Sequence, residues 1–173
     1  MLSGKLHSKI SKPEVFAIVE QAVVSDGLVV ETIDSERPWG GFLVISEAQI
    51  ARFVDLFFPK EKLLAESKGL KFSPKILVVA PQSRLSWQYH FRRSEIWKVV
   101  DGPVKVVRSQ TDTYGEEEIH HQGSLIKIAT EMRHRLAGHQ NWGIVAEIWQ
   151  HSDKNNPSNE EDIVRLADDF GRK

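Results

Sequence analysis

Residues 81–97 read PQSRLSWQYHFRRSEIW, a stretch that carries several metal-ligating side chains at strand spacing. Gln88 and His90 are two residues apart, so on a strand they point to the same face. Glu95 follows a short turn, and a hairpin would bring it back beside His90. His134, about 40 residues later, must come from a separate strand. Two imidazoles, a carboxylate and an amide oxygen suit Zn²⁺, Mn²⁺, Fe²⁺ or Co²⁺, which predicts a catalytic metal site at these four residues.

The strands needed to carry such a site are predicted from residue 72 onward. Short apolar or alternating runs are separated there by Pro, Gly, Asp and Ser. Runs of this length and spacing are typical of an all-β sandwich or barrel. The seven predicted strand segments are Lys75–Ala80, Arg84–Phe91, Glu95–Val100, Val104–Arg108, Ser124–Ile128, Arg133–Ala137 and Ile144–Gln150.

The remainder of the chain carries helical signals. Ser11 and Glu14 form a capping-box pattern before a run with one apolar face. Glu47–Phe58 predicts a second helix and Glu61–Lys68 a third, while Glu160–Phe170 predicts one helical turn or more. We expect a single domain, 1–173, made of an N-terminal helix and strand (1–36), a helical insertion (47–69), a barrel core (72–151) and a C-terminal tail (152–173).

Composition limits which partners and which cellular compartment we expect for this protein. The chain has 173 residues, a formal net charge of -1 and no cysteine. The near-zero charge predicts neither a nucleic-acid nor a membrane partner. A membrane-spanning helix needs about 20 apolar residues in a row, and no stretch approaches that length. The lack of cysteine excludes disulfides and thiolate metal sites and fits a cytoplasmic protein.

The stretch at 81–97 also resembles the first motif of the cupin family. In that motif a Gly is followed after five residues by His-x-His, after four more by Glu and after six more by Gly. The last Gly is Gly102 here, and Gln88 replaces the first His, as in the phosphomannose isomerase subgroup. The second cupin motif is matched by Gly123 and by His134-Arg135-Leu136. Three positions of that motif depart from the pattern: Ala129 replaces a Pro, Glu131 a Gly and Gly138 an Asn.

Two further stretches resemble the C-terminal, isomerase domain of type II mannose-6-phosphate isomerase/mannose-1-phosphate guanylyltransferase. One is Arg37-Pro38-Trp39-Gly40, and the other is the tail at 160–172, EEDIVRLADDFGR. The resemblance therefore extends over about 37–172, interrupted by the insertion at 47–69. It implies a mainly β fold, a cupin jelly-roll barrel, to which the N-terminal helix and the insertion are added.

The resemblance further implies a metal-dependent aldose–ketose isomerase whose substrate is a phosphorylated sugar such as mannose 6-phosphate. One divalent metal ion is expected, zinc first, with manganese, iron or cobalt as alternatives. Glu147 is the first candidate for the general base and Lys105 the second. Arg93, Arg84 and Arg135 are the candidate phosphate ligands, because guanidinium groups match phosphate geometry.

Two other functions stay open at this point. A non-catalytic sugar-binding or regulatory metal cupin fits the altered turn before His134. A metal-dependent oxygenase or epimerase is a third possibility, because one fold hosts many reactions. A homodimer is expected from the resemblance alone.

Overall fold

In the computed structural model, residues 6–61 and 69–172 are described, and they form two facing antiparallel sheets flanked by helices on one side. The elements in chain order are α1 (Lys12–Ser25), β1 (Val30–Asp34), β2 (Gly40–Ile45), a 3₁₀ turn (Glu47–Gln49), α2 (Ile50–Phe57), β3 (Phe72–Val79), β4 (Trp87–His90), β5 (Arg93–Asp101), β6 (Val104–Ser109), β7 (Glu117–His120), β8 (Leu125–Ile128), β9 (Arg133–Gly138), β10 (Gly143–His151), a second 3₁₀ turn (Glu160–Asp162) and β11 (Ile163–Ala167).

One sheet has the strand order β1-β2-β3-β10-β5-β8, and the other has the order β11-β4-β9-β6-β7. All of these pairings are antiparallel. The predicted fold, a mainly β jelly-roll barrel with helical additions, is confirmed. The edge strand β7 was not predicted, because its sequence, EEIH, lacks an apolar alternation.

Strand β10 shows how alternation creates two separate cores. Ile144, Ala146 and Ile148 are buried in a cluster with the helices, whereas Val145 is buried in a second cluster between the two sheets. Successive side chains of a strand point to opposite faces, so both faces of β10 are covered. The helices are needed for this reason, because without them the outer face of the six-stranded sheet would be exposed to water.

Helix α1 begins where the sequence predicts. The capping box of Ser11 and Glu14 is present, with the Glu14 carboxylate 3.1 Å from the Ser11 backbone nitrogen. Val15 and Val19 of this helix are fully buried in the outer cluster together with Phe53 of α2. Each such side chain contributes about 1.5–3 kcal/mol when it is removed from water. Within the described residues, no helix is long and apolar enough to cross a bilayer.

Two helical predictions need adjustment. The predicted helix over Glu47–Phe58 is divided into a 3₁₀ turn and the shorter α2, and the predicted helix over Glu61–Lys68 lies outside the described residues. In the tail, the helical turn is confined to Glu160–Asp162. The residues after it form β11, whose backbone pairs with β4 and so completes the edge of the five-stranded sheet.

Gly138, which stands where the second cupin motif has an Asn, has a structural explanation. A Cβ at this position would lie 2.1 Å from the carbonyl oxygen of Ala80, far inside contact distance. Gly138 ends β9, so its close approach to Ala80 is built into the barrel. The departure from the motif therefore does not disturb the placement of His134 on the same strand.

We expect Gly138→Ala to destabilise the protein by about 2–3 kcal/mol, because the backbone must move to admit the methyl group. Gly123→Ala is the matched control, since Gly123 has a positive φ of 89° but open space around its Cβ position. That change should cost only about 1–2 kcal/mol for the left-handed backbone. Free energies of unfolding from urea titrations test the difference, and a larger loss for Gly123→Ala would contradict it.

Candidate metal centre and cavity

A cavity lies between the two sheets and receives side chains from both of them. Glu95 and Glu147 reach it from the six-stranded sheet, and Gln88 and His134 from the five-stranded sheet. The β1–β2 turn and the C-terminal tail complete its lining. The cavity is therefore lined by three of the four ligands predicted from sequence, Gln88, Glu95 and His134, while His90 lies fully buried beside Glu95.

His90, Glu95 and His134 offer three ligand atoms that lie within 4.8 Å of one another. Their exposed fractions are 0%, 3% and 2%. The three come from β4, β5 and β9, so the cluster joins the end of the β4–β5 hairpin to a strand about 40 residues later. Gln88 pairs directly with His134 across β4 and β9, and residues in register share a face.

The hydrogen bonds of the two imidazoles fix which nitrogen carries a proton. His90 Nδ1 lies 3.3 Å from the Arg93 carbonyl, and His134 Nδ1 lies 2.8 Å from the Met132 carbonyl. A carbonyl oxygen can only accept, so each Nδ1 is the donor, and in the neutral ring Nε2 presents a lone pair. Among the described residues, neither Nε2 atom has a hydrogen-bond partner.

Both lone pairs face the same carboxylate. His90 Nε2 is 3.0 Å from Glu95 Oε1, and His134 Nε2 is 3.7 Å from Glu95 Oε2. In this tautomer both members of each contact are acceptors, so a positive charge between them is required. Burial, the largest influence, lowers the pKa of His134 to about 4, which leaves its imidazole neutral near pH 7. A divalent cation shared by the three groups would satisfy all of them, and this donor set suits one.

Glu95 is held ionised by its neighbours. Burial alone would raise its pKa, but the positive charges around the carboxylate, that of the Arg93 guanidinium included, outweigh burial and keep the pKa well below the usual value. The Arg93 Nε donates to Glu95 Oε1 at 2.8 Å, and the Trp97 Nε1 donates to Glu95 Oε2 at 3.0 Å. Gln88, the fourth predicted ligand, accepts a hydrogen bond from Ser86 through its amide oxygen, which retains a second lone pair.

Glu147 lies beside this cluster. The Trp97 Nε1 is 3.0 Å from a Glu147 oxygen as well as from Glu95, so one indole joins the two carboxyl groups. Burial and then the nearby Glu95 charge raise the pKa of Glu147 to about 8. Lys75 is directly opposite Glu147 in the β3–β10 register, with its Nζ 3.1 Å from the centre of the Trp149 ring. Burial lowers the pKa of this lysine.

Lys75 lines the cavity and was not predicted as a site residue. Strand alternation in the sequence indicates its position, because Lys75, Leu77 and Val79 share one face of β3. Leu77 and Val79 belong to the core between the sheets. A lysine in register with them therefore points toward the barrel interior.

The structure separates the other predicted site residues. Lys105 does not line the cavity, and its Nζ lies 2.8 Å from Glu117 on the neighbouring strand. Arg84 forms a two-pronged, largely exposed ion pair with Asp169 at 2.5 and 3.0 Å. Arg135 is buried and lines the cavity, with its Nη2 2.9 Å from the Ala167 carbonyl.

Three further arginines also line the cavity: Arg37, Arg165 and Arg172. Arg37 belongs to the β1–β2 turn, and the other two belong to the tail. Sequence reasoning identified both segments by resemblance but gave their arginines no role. The cavity therefore has more cationic groups than the sequence predicted, and each of the three is paired with a carboxylate: Arg37 with Asp34, Arg165 with Glu160 and Arg172 with Asp168.

Comparisons with known proteins agree with this architecture. The family model described as "Mannose-6-phosphate isomerase C-terminal" matches residues 54–168. Among solved structures, the capsular polysaccharide assembling protein CapF from Staphylococcus aureus is similar with a TM-score of 0.52 and 13% identity, over 80% of this chain and 34% of that chain. Vicilin from Corylus avellana (hazelnut) is similar with a TM-score of 0.52 and 14% identity, over 78% of this chain and 35% of that chain.

At such low identity, these two similarities show that the fold, the cupin barrel, is shared, and they carry no information about activity. The chain spans about a third of the length of each of these solved chains. No curated protein matches it in sequence.

Arg93 and Arg84 allow a controlled test of the buried carboxylate. Arg93→Met should destabilise the protein by about 3–5 kcal/mol, because it leaves the Glu95 charge buried without its guanidinium. The matched change Arg84→Met removes an exposed ion pair and should cost about 0.2–1 kcal/mol. Urea unfolding at pH 7 measures both, and equal losses would contradict the assignment.

The loss caused by Arg93→Met should also depend on pH. With its pKa held low in the fold, Glu95 contributes stability that is fully present above pH 4.5 and is lost as the pH falls through the folded pKa. Removing the guanidinium raises that folded pKa, so the deficit should be largest near pH 7 and smaller below pH 4.5. A deficit that does not change between pH 7 and pH 4 would contradict this reasoning.

Proposed function

The chain belongs to the mannose-6-phosphate isomerase C-terminal family, and from this premise we propose that it is a metal-dependent aldose–ketose isomerase. Its proposed substrate is a phosphorylated sugar such as mannose 6-phosphate. The convergence of two unprotonated imidazole nitrogens on one ionised carboxylate carries the proposal. A cluster of this kind, buried beside a second carboxyl group and several cations, suits proton transfer on an anionic sugar better than it suits a structural metal site.

His90, Glu95 and His134 would hold one divalent cation, with Gln88 as an additional oxygen ligand. Zinc is the first candidate for a site made of imidazole and carboxylate groups, and manganese, iron and cobalt are alternatives. When bound, such a cation supplies Lewis-acid stabilisation of negative charge on a sugar oxygen. The Nδ1 hydrogen bonds of the two histidines to backbone carbonyls keep both rings in the tautomer that binds metal.

Glu147 is the proposed general base. In the aldose-to-ketose direction its ionised carboxylate takes the proton from C2, the C–H electron pair forms the C1–C2 double bond, and the carbonyl electron pair moves onto O1 to give an enediolate. The hydroxyl proton then passes from O2 to O1, an O2 electron pair forms the C2 carbonyl, and the C1–C2 electron pair takes the proton back from Glu147 at C1. Lys75, the cation opposite Glu147 in the sheet, offsets the charge of that carboxylate. Lys105, the second candidate base, has the weaker support, because its Nζ pairs with Glu117 away from the cavity.

The phosphate is proposed to lie near the cationic side of the cavity. Arg37 and Arg172 retain exposed fractions of 30% and 23%, so they lie toward solvent, where a charged group can enter. Arg135 has no carboxylate within 4 Å among the residues that the structure describes. A buried guanidinium without a carboxylate partner favours binding of an anion. Arg37, Arg172, Arg93 and Arg84, in contrast, are already paired with carboxylates, so Arg135 is the first candidate to bind the phosphate.

The metal proposal predicts one equivalent of bound divalent metal in the wild-type protein and its loss in His90→Ala. His121→Ala is the matched control, since His121 is exposed and outside the cluster. Saturating metal should also stabilise the fold, by about 2.7 kcal/mol at 100 times the dissociation constant. Elemental analysis and thermal unfolding with and without chelator measure these effects. Failure of the wild type to retain zinc, manganese, iron or cobalt would refute the metal site.

The catalytic proposal predicts that Glu147→Gln lowers kcat for mannose 6-phosphate isomerisation by about 10²–10⁴-fold while metal content is unchanged. Lys105→Gln, the control, should stay close to the wild-type rate. Proton NMR in D₂O follows loss of the C2 proton directly. Unaltered turnover in Glu147→Gln would exclude it as the base. Metal binding without any turnover in the wild type would instead favour the alternative, a non-catalytic sugar-binding or regulatory metal cupin.

A further inference from the structure

A continuous set of buried polar contacts runs from the candidate ligand Glu95 to the C-terminal tail. The Arg93 guanidinium uses Nε to bind Glu95 at 2.8 Å and Nη1 to bind the Ser158 hydroxyl at 2.7 Å. That hydroxyl donates in turn to Asp162 Oδ2 at 2.5 Å. One side chain therefore links the Glu95 carboxylate on β5 to Ser158 of the tail, which lies 65 residues after Arg93 in the sequence.

Asp162 also holds the turn between the two strands that carry ligands. Its carboxylate accepts hydrogen bonds from the backbone N–H groups of Phe91 at 3.2 Å and Arg92 at 3.0 Å. These two residues connect His90, at the end of β4, to β5, which carries Glu95. A single carboxylate of the tail therefore fixes the hairpin turn directly and reaches Glu95 through Ser158 and Arg93.

The contacts are almost fully removed from water. Arg93, Glu95, Ser158 and Asp162 have exposed fractions of 1%, 3%, 6% and 6%. The guanidinium also lies over the Trp149 ring at 3.6 Å, which restricts its rotation. Buried hydrogen bonds to charged groups contribute more than exposed ones, and leaving one partner unsatisfied is costly. The network is therefore rigid enough to set the position of the Glu95 carboxylate.

The tail makes a second connection to the ligand strand through its backbone. In β11, Ile163 pairs with His90 and Arg165 pairs with Gln88. The residues immediately after Asp162 thus form the strand that borders two candidate ligands. Detachment of this segment would release the hairpin turn, the Arg93 contact and the edge of β4 together.

We propose that Ser158 and Asp162 are positioning residues for the metal centre, so that docking of the segment 158–167 and metal affinity are coupled. This inference rests on the proposed metal site, because it concerns how the ligands of that site are held. Ser158 acts on Glu95 through Arg93, and Asp162 acts on both ligands through the turn. Coupling between two binding equilibria is reciprocal, so metal binding must also favour docking of the segment.

Ser158→Ala and Asp162→Asn test the proposal, with zinc and cobalt(II) as probes. Loss of contacts that orient a ligand commonly lowers metal affinity about 10–100-fold, which is the expected effect of each change. Ser158→Thr, which keeps a hydroxyl, should restore affinity. Asp169→Asn is the matched control, because Asp169 lies in the same tail but forms its ion pair with the exposed Arg84. The visible spectrum of bound cobalt(II) should change in the first two variants and stay as in the wild type in the control.

Hydrogen exchange measures docking of the tail segment directly. Zinc should slow exchange of the backbone N–H groups in the β4–β5 turn and in β11 of the wild type, and the slowing in β11 should be smaller in Ser158→Ala. Should Asp162→Asn fail to fold without metal, Ser158→Ala and Ser158→Thr decide the question. Wild-type zinc affinity and cobalt spectrum in Ser158→Ala would overturn the positioning role while leaving the metal site intact. Lack of metal binding by the wild type would overturn both proposals.

Discussion

The charge of Glu95 is the constraint around which the interior of the barrel is arranged. An ionised carboxylate buried to this extent would cost several kcal/mol if it were left without partners. Arg93 and Trp97 supply donors to its two oxygens, and two imidazole nitrogens face it from the opposite sheet. The rest of the site is arranged around this buried charge, because each group that contacts Glu95 must itself be held in place.

The separation of the two cores allows the barrel interior to hold this polar cluster. On β10, the residues buried against the helices are Ile144, Ala146 and Ile148, all apolar, while the opposite face changes from Val145 to Glu147 and Trp149 along the strand. The apolar outer cluster therefore stabilises the same strands whose inner faces carry the polar cluster. Because this stabilisation comes from outside the barrel, the interior can accommodate buried charges.

Local spacing predicts that the candidate ligands lie close together, as the structure has them, whereas contacts between distant strands could not be predicted. Gln88, His90 and Glu95 are close in sequence, so strand alternation and one hairpin suffice to bring them together. The contact of Arg93 with Glu95 fits the same spacing, because the two residues lie two positions apart on one strand, whereas its contact with Ser158, 65 residues away, could not be predicted from the sequence. The inward position of Lys75 could be predicted from strand alternation. The positions of the cavity-lining arginines of the tail, in contrast, depend on the pairing of β11 with β4.

The candidate ligands are also divided between the two sheets. Glu95 belongs to the six-stranded sheet, while His90 and His134 belong to the five-stranded sheet. At the apolar end of the barrel, residues such as Val99 and Val106 join the sheets by direct packing. At the polar end, acceptor groups face one another, and a shared cation would replace that repulsion by bonds to both sheets. Metal binding and closure of the barrel are therefore expected to stabilise each other, as in other proteins whose metal ligands are assembled only by the fold.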